Sequence, residues 1–294
     1  MTVGTRARRV RAHVTGAASA AVRPVLEAPR RPARVLAAFP AGVYLEVRTE
    51  LEPSVIAVIT GDATRLPNSV LLATELPHVT VGDDAFVGDG SIEFGRLSLR
   101  ARRWWDPAPP LGAVDLPSLA RVRQPAAGLL EGPGCHAGQG TPGLAGDASV
   151  ELLASSCASG RLLGAVTAAE RLVGLGPGLT PSGDDVLAGL LVTLRHLGAA
   201  TGTEAAVRLA GWLAATVTYD ARTRTTPLSA TLLHCAARGE ASPEVIAVLR
   251  GLTGRRPLEP ALRRLHGLGH TSGADLAQGI AIGVDAVLSL GGHR

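Results

Sequence analysis

The spacing of apolar positions changes character once along this chain. Between residues 35 and 104, apolar and β-branched residues come in short runs, Val43–Val47 and Ser54–Ile59, punctuated by Gly82-Asp83-Asp84 and Gly88-Asp89-Gly90. Such runs bounded by Gly and Asp predict strands, and Ser91–Phe94 with Arg96–Leu99 predicts a hairpin-like pair. Trp104-Trp105-Asp106-Pro107 closes this region. From Ala148 onward the spacing is near 3.6, at Leu152, Leu153, Leu162, Leu163, Val166 and Leu172, and again within 184–198, 203–219, 228–238, 243–252 and 274–290. That period marks helices with one buried face. The predicted fold class is α+β: a β-rich domain over 35–105, a Pro- and Gly-rich connector over 106–147 with room for one short helix, and a mostly α-helical domain over 148–294.

Residues 1–34 carry eight arginines (Arg6, Arg8, Arg9, Arg11, Arg23, Arg30, Arg31 and Arg34), while the apolar stretch Ala17–Val22 is too short and small-residued for the core of a secretion signal. This segment is expected to be a disordered basic tail, and the chain to be cytoplasmic. Asp184, Asp185, Arg195 and Asp285 interrupt the longest apolar stretches. No uncharged run therefore reaches the roughly 18 residues of a bilayer span, and no membrane partner is expected.

Composition narrows the chemistry. All 29 basic residues are arginine. Mechanisms that need a P-loop lysine, a Schiff-base lysine or a biotinyl-lysine are thereby excluded, and an anion must be held by arginine forks, hydroxyls, helix N-termini or a metal ion. The net charge of +4 and an aromatic content of 3% are thin for nucleic-acid binding, which is not expected. Cys135, Cys157 and Cys235 are odd in number and widely spaced, so they predict neither a disulfide framework nor a zinc site.

The densest motif is Gly174-Leu175-Gly176-Pro177-Gly178-Leu179-Thr180-Pro181-Ser182-Gly183-Asp184-Asp185, directly ahead of an apolar helix. Gly176 and Gly178 permit close backbone approach, and the amides of Gly183, Asp184 and Asp185 at a helix start are expected to point outward and attract an anion. Ser182 with Asp185 also fits a capping box. Ser182-Gly183-x-Asp185-x-x-x-Gly189 recurs 90 residues on as Ser272-Gly273-x-Asp275-x-x-x-Gly279, preceded by His270 and Thr271. The repeat predicts two helix N-termini facing one polar pocket. Between them, Arg224, Thr225, Thr226 and Ser229 form a guanidinium- and hydroxyl-rich helix entry suited to a carboxylate or phosphate. The candidate catalytic groups are Asp184, Asp185, Asp275 and His270. The candidate binding residues are Gly176, Gly178, Thr180, Ser182, Gly183, Arg224, Thr225, Thr226, Ser229, Thr271, Ser272 and Gly273. The aspartates can accept N–H groups or hold Mg2+. No covalent nucleophile stands in a recognisable triad.

The stretches Gly174–Leu190, Arg224–Ser229 and Gly269–Asp275 resemble the AllH-type family, with similarity over most of residues 35–290. The resemblance implies a subunit of an oxamate carbamoyltransferase working beside an FdrA-like subunit and a further partner in purine or allantoin breakdown. Its reaction would yield oxamate and carbamoyl phosphate from N-carbamoyl-2-oxoglycine-type compounds. Two other classes are open on the residues alone: a small-molecule kinase with a Gly/Ser-rich phosphate loop, and a non-catalytic metabolite-binding subunit.

Overall fold

The computed structural model describes residues 12–131, 143–219 and 221–292. Two compact units divide the chain at Asp106/Pro107, which matches the α+β reading of a β-rich domain followed by a helical one.

The first unit is a closed eight-stranded barrel. Its strands are β1 (Ala12–Ser19), β2 (Arg31–Phe39), β3 (Gly42–Val47), β4 (Val55–Ile59), β5 (Ser69–Leu72), β6 (Asp84–Gly88), β7 (Ser91–Phe94) and β8 (Leu97–Trp105), in the order β1-β5-β4-β3-β2-β6-β7-β8. Closure comes from β1, which pairs parallel to β8 and antiparallel to β5. A short 3-10 turn, Ala20–Val22, leads into α1 (Arg23–Glu27), whose Val25 and Leu26 join the barrel core. Closure matters physically because it leaves no unpaired sheet edge.

The expected basic tail is corrected here: from Ala12 onward the segment is barrel wall, not disordered chain. Along β2 the residues Ala33, Val35 and Ala37 are buried while Arg34, between them, points out. Small buried residues and an outward arginine satisfy the strand period of two, but they lack the β-branched density that flags a strand in sequence. Two of the arginines have structural partners. Arg23 lies 4.5 Å from the Trp104 ring centroid, and Arg30 pairs with Glu93 at 2.8 Å and stacks on Phe86. Arg6, Arg8, Arg9 and Arg11 lie outside the described residues, as does Cys135.

The second unit is helical: α2 (Leu116–Glu131), α3 (Ala148–Ala158), α4 (Leu162–Leu172), α5 (Ser182–Thr201), α6 (Glu204–Tyr219), α7 (Ala221–Arg224), α8 (Pro227–Ala237), α9 (Pro243–Leu252), α10 (Leu258–His266) and α11 (Ser272–Gly291). The supposed connector thus supplies a 16-residue helix. Asp115 begins it by accepting the Ser118 amide at 2.8 Å, and Arg123 fixes it to α11 through a two-pronged ion pair with Asp285 at 3.0 and 2.9 Å. Cys157 and Cys235 are buried and in no disulfide.

The central feature is α5 against α11, the most extensively packed pair of helices. Both run 20 residues. Glycine makes the approach possible: a Cβ on Gly189 would stand 2.3 Å from the Leu276 carbonyl oxygen, and one on Gly279 would stand 2.0 Å from that of Val186. Helix α11 is long and apolar enough to cross a membrane by length and composition. Its burial along α5 accounts for that composition.

The sequence repeat is a structural repeat of helix, loop and helix. The arms are α4 with α5, and α10 with α11. Leu175 N–H donates to Leu172 O and Gly183 N–H to Leu175 O in the first; Leu268 N–H donates to Leu265 O and Gly273 N–H to Leu268 O in the second. The first loop is longer, with residues 176–181 where the second has 269–271. Helix α10 was not anticipated, because Pro260 and its arginines masked the period, although Ala261, Leu262 and Leu265 form a buried face.

Candidate functional site

The two Ser-Gly-x-Asp corners meet where α5 and α11 begin, as the repeat predicts. The exchange between them is reciprocal. The Ser272 hydroxyl of the second corner lies against Asp185 of the first and holds its carboxyl down, and Ser182 of the first does the same for Asp275 of the second. Thr180 and Thr271 add a hydroxyl to Asp185 and Asp275 respectively, and Thr180 Oγ1 lies 3.1 Å from Ser272 Oγ. The backbone N–H of Gly143 donates to Asp275 Oδ1 at 2.7 Å. Oδ2 of Asp185 and Oδ2 of Asp275 are buried without a hydrogen-bond partner. Thr180, Thr271 and Ser272 are partly exposed, so the pair sits just beneath the surface.

Burial in a nearly basic-free environment decides the charge state. Loss of water pushes the Asp185 carboxyl up to about 8; the Ser272 and Thr180 hydroxyls oppose this, while the neighbouring carboxylates of Asp275 and Asp184 reinforce it. Burial raises Asp275 as well, against the hydroxyls of Ser182 and Thr271 and the Gly143 amide. No basic side chain is among the described partners of either group. Two carboxyls pushed upward together at one site are a recognised signature of functional groups.

Three expectations change. The capping box does not form, since neither α5 nor α11 has a side-chain cap hydrogen bond; Ser182 and Ser272 reach across to the opposite corner instead. The first-turn amides are not open to an anion. Those of Asp184 and Asp185 donate to Pro181 O, those of Ala274 and Asp275 to Thr271 O, and those of Gly183 and Gly273 to the loop carbonyls already given. Gly183 and Gly273 serve packing: a Cβ on either would stand 2.0 Å from the Leu172 or Leu265 carbonyl oxygen.

Asp184, expected among the catalytic groups, is a structural clasp. Its carboxylate accepts the Gly174 amide at 2.8 Å, the Ser229 hydroxyl at 2.6 Å and the Thr225 hydroxyl, joining the glycine loop to the start of α8. Thr225 and Ser229 are thereby committed to Asp184. Thr226 caps α8 by accepting the Ser229 amide and donates to Leu179 O. Arg224 donates to Glu170 O at 2.5 Å, so its guanidinium is bound to the end of α4. Replacing Asp184 with Asn is expected to lower the stability of the helical unit by about 2 kcal/mol, because charge-assisted bonds to buried donors are lost. Urea denaturation measures this, and an unchanged midpoint would show the clasp to be inert.

His270, Gly176 and Gly178 are exposed on the two loops. Gly176 adopts a φ of 116° and packs against Ser182. Gly143 was missed by sequence reasoning. It lies in the stretch read as connector, and no local pattern marks a backbone amide that docks on an aspartate 132 residues away. Among the described residues no cluster of three or more His, Cys, Asp or Glu suits a metal ion.

The architecture defines a two-unit α+β protein whose helical unit holds a buried aspartate pair between duplicated helix–loop–helix arms. Residues 172–284 match the family model described as oxamate carbamoyltransferase subunit AllH, and over that span the chain is similar to this family. The matched segment begins at the last residue of α4 and takes in both corners and the Asp184 clasp, whereas the barrel lies outside it. No solved structure gives a significant match.

Proposed function

We propose that this chain is a subunit of an oxamate carbamoyltransferase-type enzyme and that the paired corners hold a small carbamoyl compound. The family that 172–284 matches supports the first part. The observation that carries the second is that Oδ2 of Asp185 and Oδ2 of Asp275, beside the crossed hydroxyls of Ser272 and Ser182, are buried acceptors without a partner. Such oxygens suit N–H groups, which a carbamoyl or amide nitrogen supplies. In the proposed reaction a phosphate oxygen bonds to the carbamoyl carbon as its bond to the substrate nitrogen breaks. That nitrogen leaves with a proton as the amide of oxamate, and carbamoyl phosphate is the other product.

The phosphate needs positive charge, and the corners offer none among the described partners of the two carboxylates. In this reading a partner subunit, of the FdrA-like kind, holds the phosphate and this chain orients the carbamoyl compound. A kinase-type phosphate loop is disfavoured for the same reason: it needs first-turn amides that here donate to carbonyls.

The test is phosphorolysis of N-carbamoyl-2-oxoglycine by this chain co-purified with its FdrA-like partner, reading carbamoyl phosphate formed. Asp275→Asn is expected to lower kcat/KM roughly tenfold, the scale of one lost hydrogen bond to a charged group, without a matching loss of melting temperature. Absence of phosphate-dependent turnover in the assembled complex would refute the assignment, and full activity of Asp275→Asn would remove the corners from it.

A further inference from the structure

Building on that reading, we infer that the Asp185–Asp275 pair recognises the primary amide end of its ligand, –CO–NH2, and rejects a carboxylate of the same size. The Gly143 amide occupies Asp275 Oδ1. The four corner hydroxyls, from Thr180, Ser182, Thr271 and Ser272, are distributed between the two carboxyls. What remains is Oδ2 of each aspartate, both buried and both unpartnered. The residues themselves are 7% and 0% exposed, so bulk water is a poor substitute partner.

The groups facing the pair are Asp184, the pair's own two carboxyls and hydroxyls, with no basic side chain among the described partners. Two carboxylates without a cation cannot both ionise cheaply in a buried site, and retention of one proton by the pair is the available neutralisation. A singly protonated pair presents one O–H donor and one bare acceptor. A primary amide is the small group that matches, since its carbonyl accepts and its N–H donates. A carboxylate brings two acceptors and a negative charge, leaving the aspartate oxygen opposed to another anion. Sites that hydrogen-bond a ligand's N–H discriminate strongly against analogues lacking it, because buried polar groups are then left unpaired. The quasi-twofold relation of the corners makes the recognition two-sided, one aspartate from each arm.

Oxalate, oxamate and oxamide form an isosteric series in which carboxylates are replaced by amides one at a time. Isothermal titration calorimetry of the full chain at pH 7 is expected to show oxamate and oxamide binding at least about tenfold more tightly than oxalate. Oxamate affinity is expected to fall between pH 7 and pH 9.5 as the shared proton is lost, and Asp185→Asn, which cannot titrate, is expected to flatten that fall. The ligand series on the unaltered chain stands whether or not the variant folds. Oxalate binding as well as oxamate would overturn amide recognition while leaving a small-molecule site in place. Selective binding without pH dependence would overturn the shared proton, and failure of all three to bind would overturn the site itself.

Discussion

Gly279→Ala melts the helical unit well below the unaltered protein. At this position a Cβ would stand 2.0 Å from the Val186 carbonyl oxygen and 2.9 Å from the Leu190 amide nitrogen, both backbone atoms of α5 that cannot rotate away. The helices must separate or slide, and either movement spoils the packing of Leu187, Leu190, Ile280 and Val284, which are fully buried. Overpacking ordinarily costs 1–3 kcal/mol. A clash with backbone along the central helix pair should exceed that, at about 4 kcal/mol, which for a unit of this size is a fall on the order of 10 °C in Tm. Gly211→Ala is the matched control. It also lies inside a helix, α6, but a Cβ there meets nothing within 4 Å. Replacing a helical glycine by alanine in open space should stabilise by about 0.5–1 kcal/mol. Thermal melts of the two variants should therefore move in opposite directions; a neutral Gly279→Ala would mean that α5 and α11 do not touch as described.

Asp185→Asn is expected to leave stability nearly unchanged below about pH 4 and to raise it strongly at pH 9. The sign follows from linkage. Folding moves this carboxyl from its ordinary 3.8 up to about 8, so the folded state holds a proton that the unfolded chain has released across that interval. The stabilising contribution is complete at pH values below about 4 and is lost as pH rises through 8. Asparagine is neutral throughout and avoids the loss, which is worth on the order of 4 kcal/mol at pH 9 for so deeply buried a group. Melting temperatures of the two proteins measured from pH 4 to pH 9 should diverge toward alkaline pH. Parallel curves would show an aspartate that ionises normally, and the proton-sharing pair would be withdrawn.

Much of the helical unit was legible because its signals are local. The 3.6 spacing, Thr226 ahead of Pro227, and the glycines four residues after Asp185 and Asp275 each act within a turn or two of helix. The first two barrel strands were not legible. Alanine and arginine give β1 and β2 little intrinsic preference, and what holds them, besides the β2–β3 hairpin, is pairing with β5, β8 and β6 far along the chain. Context outweighs propensity in strands, so such segments are read only when their partners are known.

The corners show the same division. By itself the sequence determined that two Ser-Gly-x-Asp turns precede two glycine-notched helices, since turn chemistry and helix period are short-range properties. Only the tertiary structure decided that Asp184 is a clasp while Asp185 and Asp275 form a buried pair, and that each serine serves the opposite corner rather than its own helix. A carboxylate's role depends on what shares its low-dielectric surroundings. Here those neighbours come from residues 40 to 130 positions away, brought together by helices that glycine lets touch.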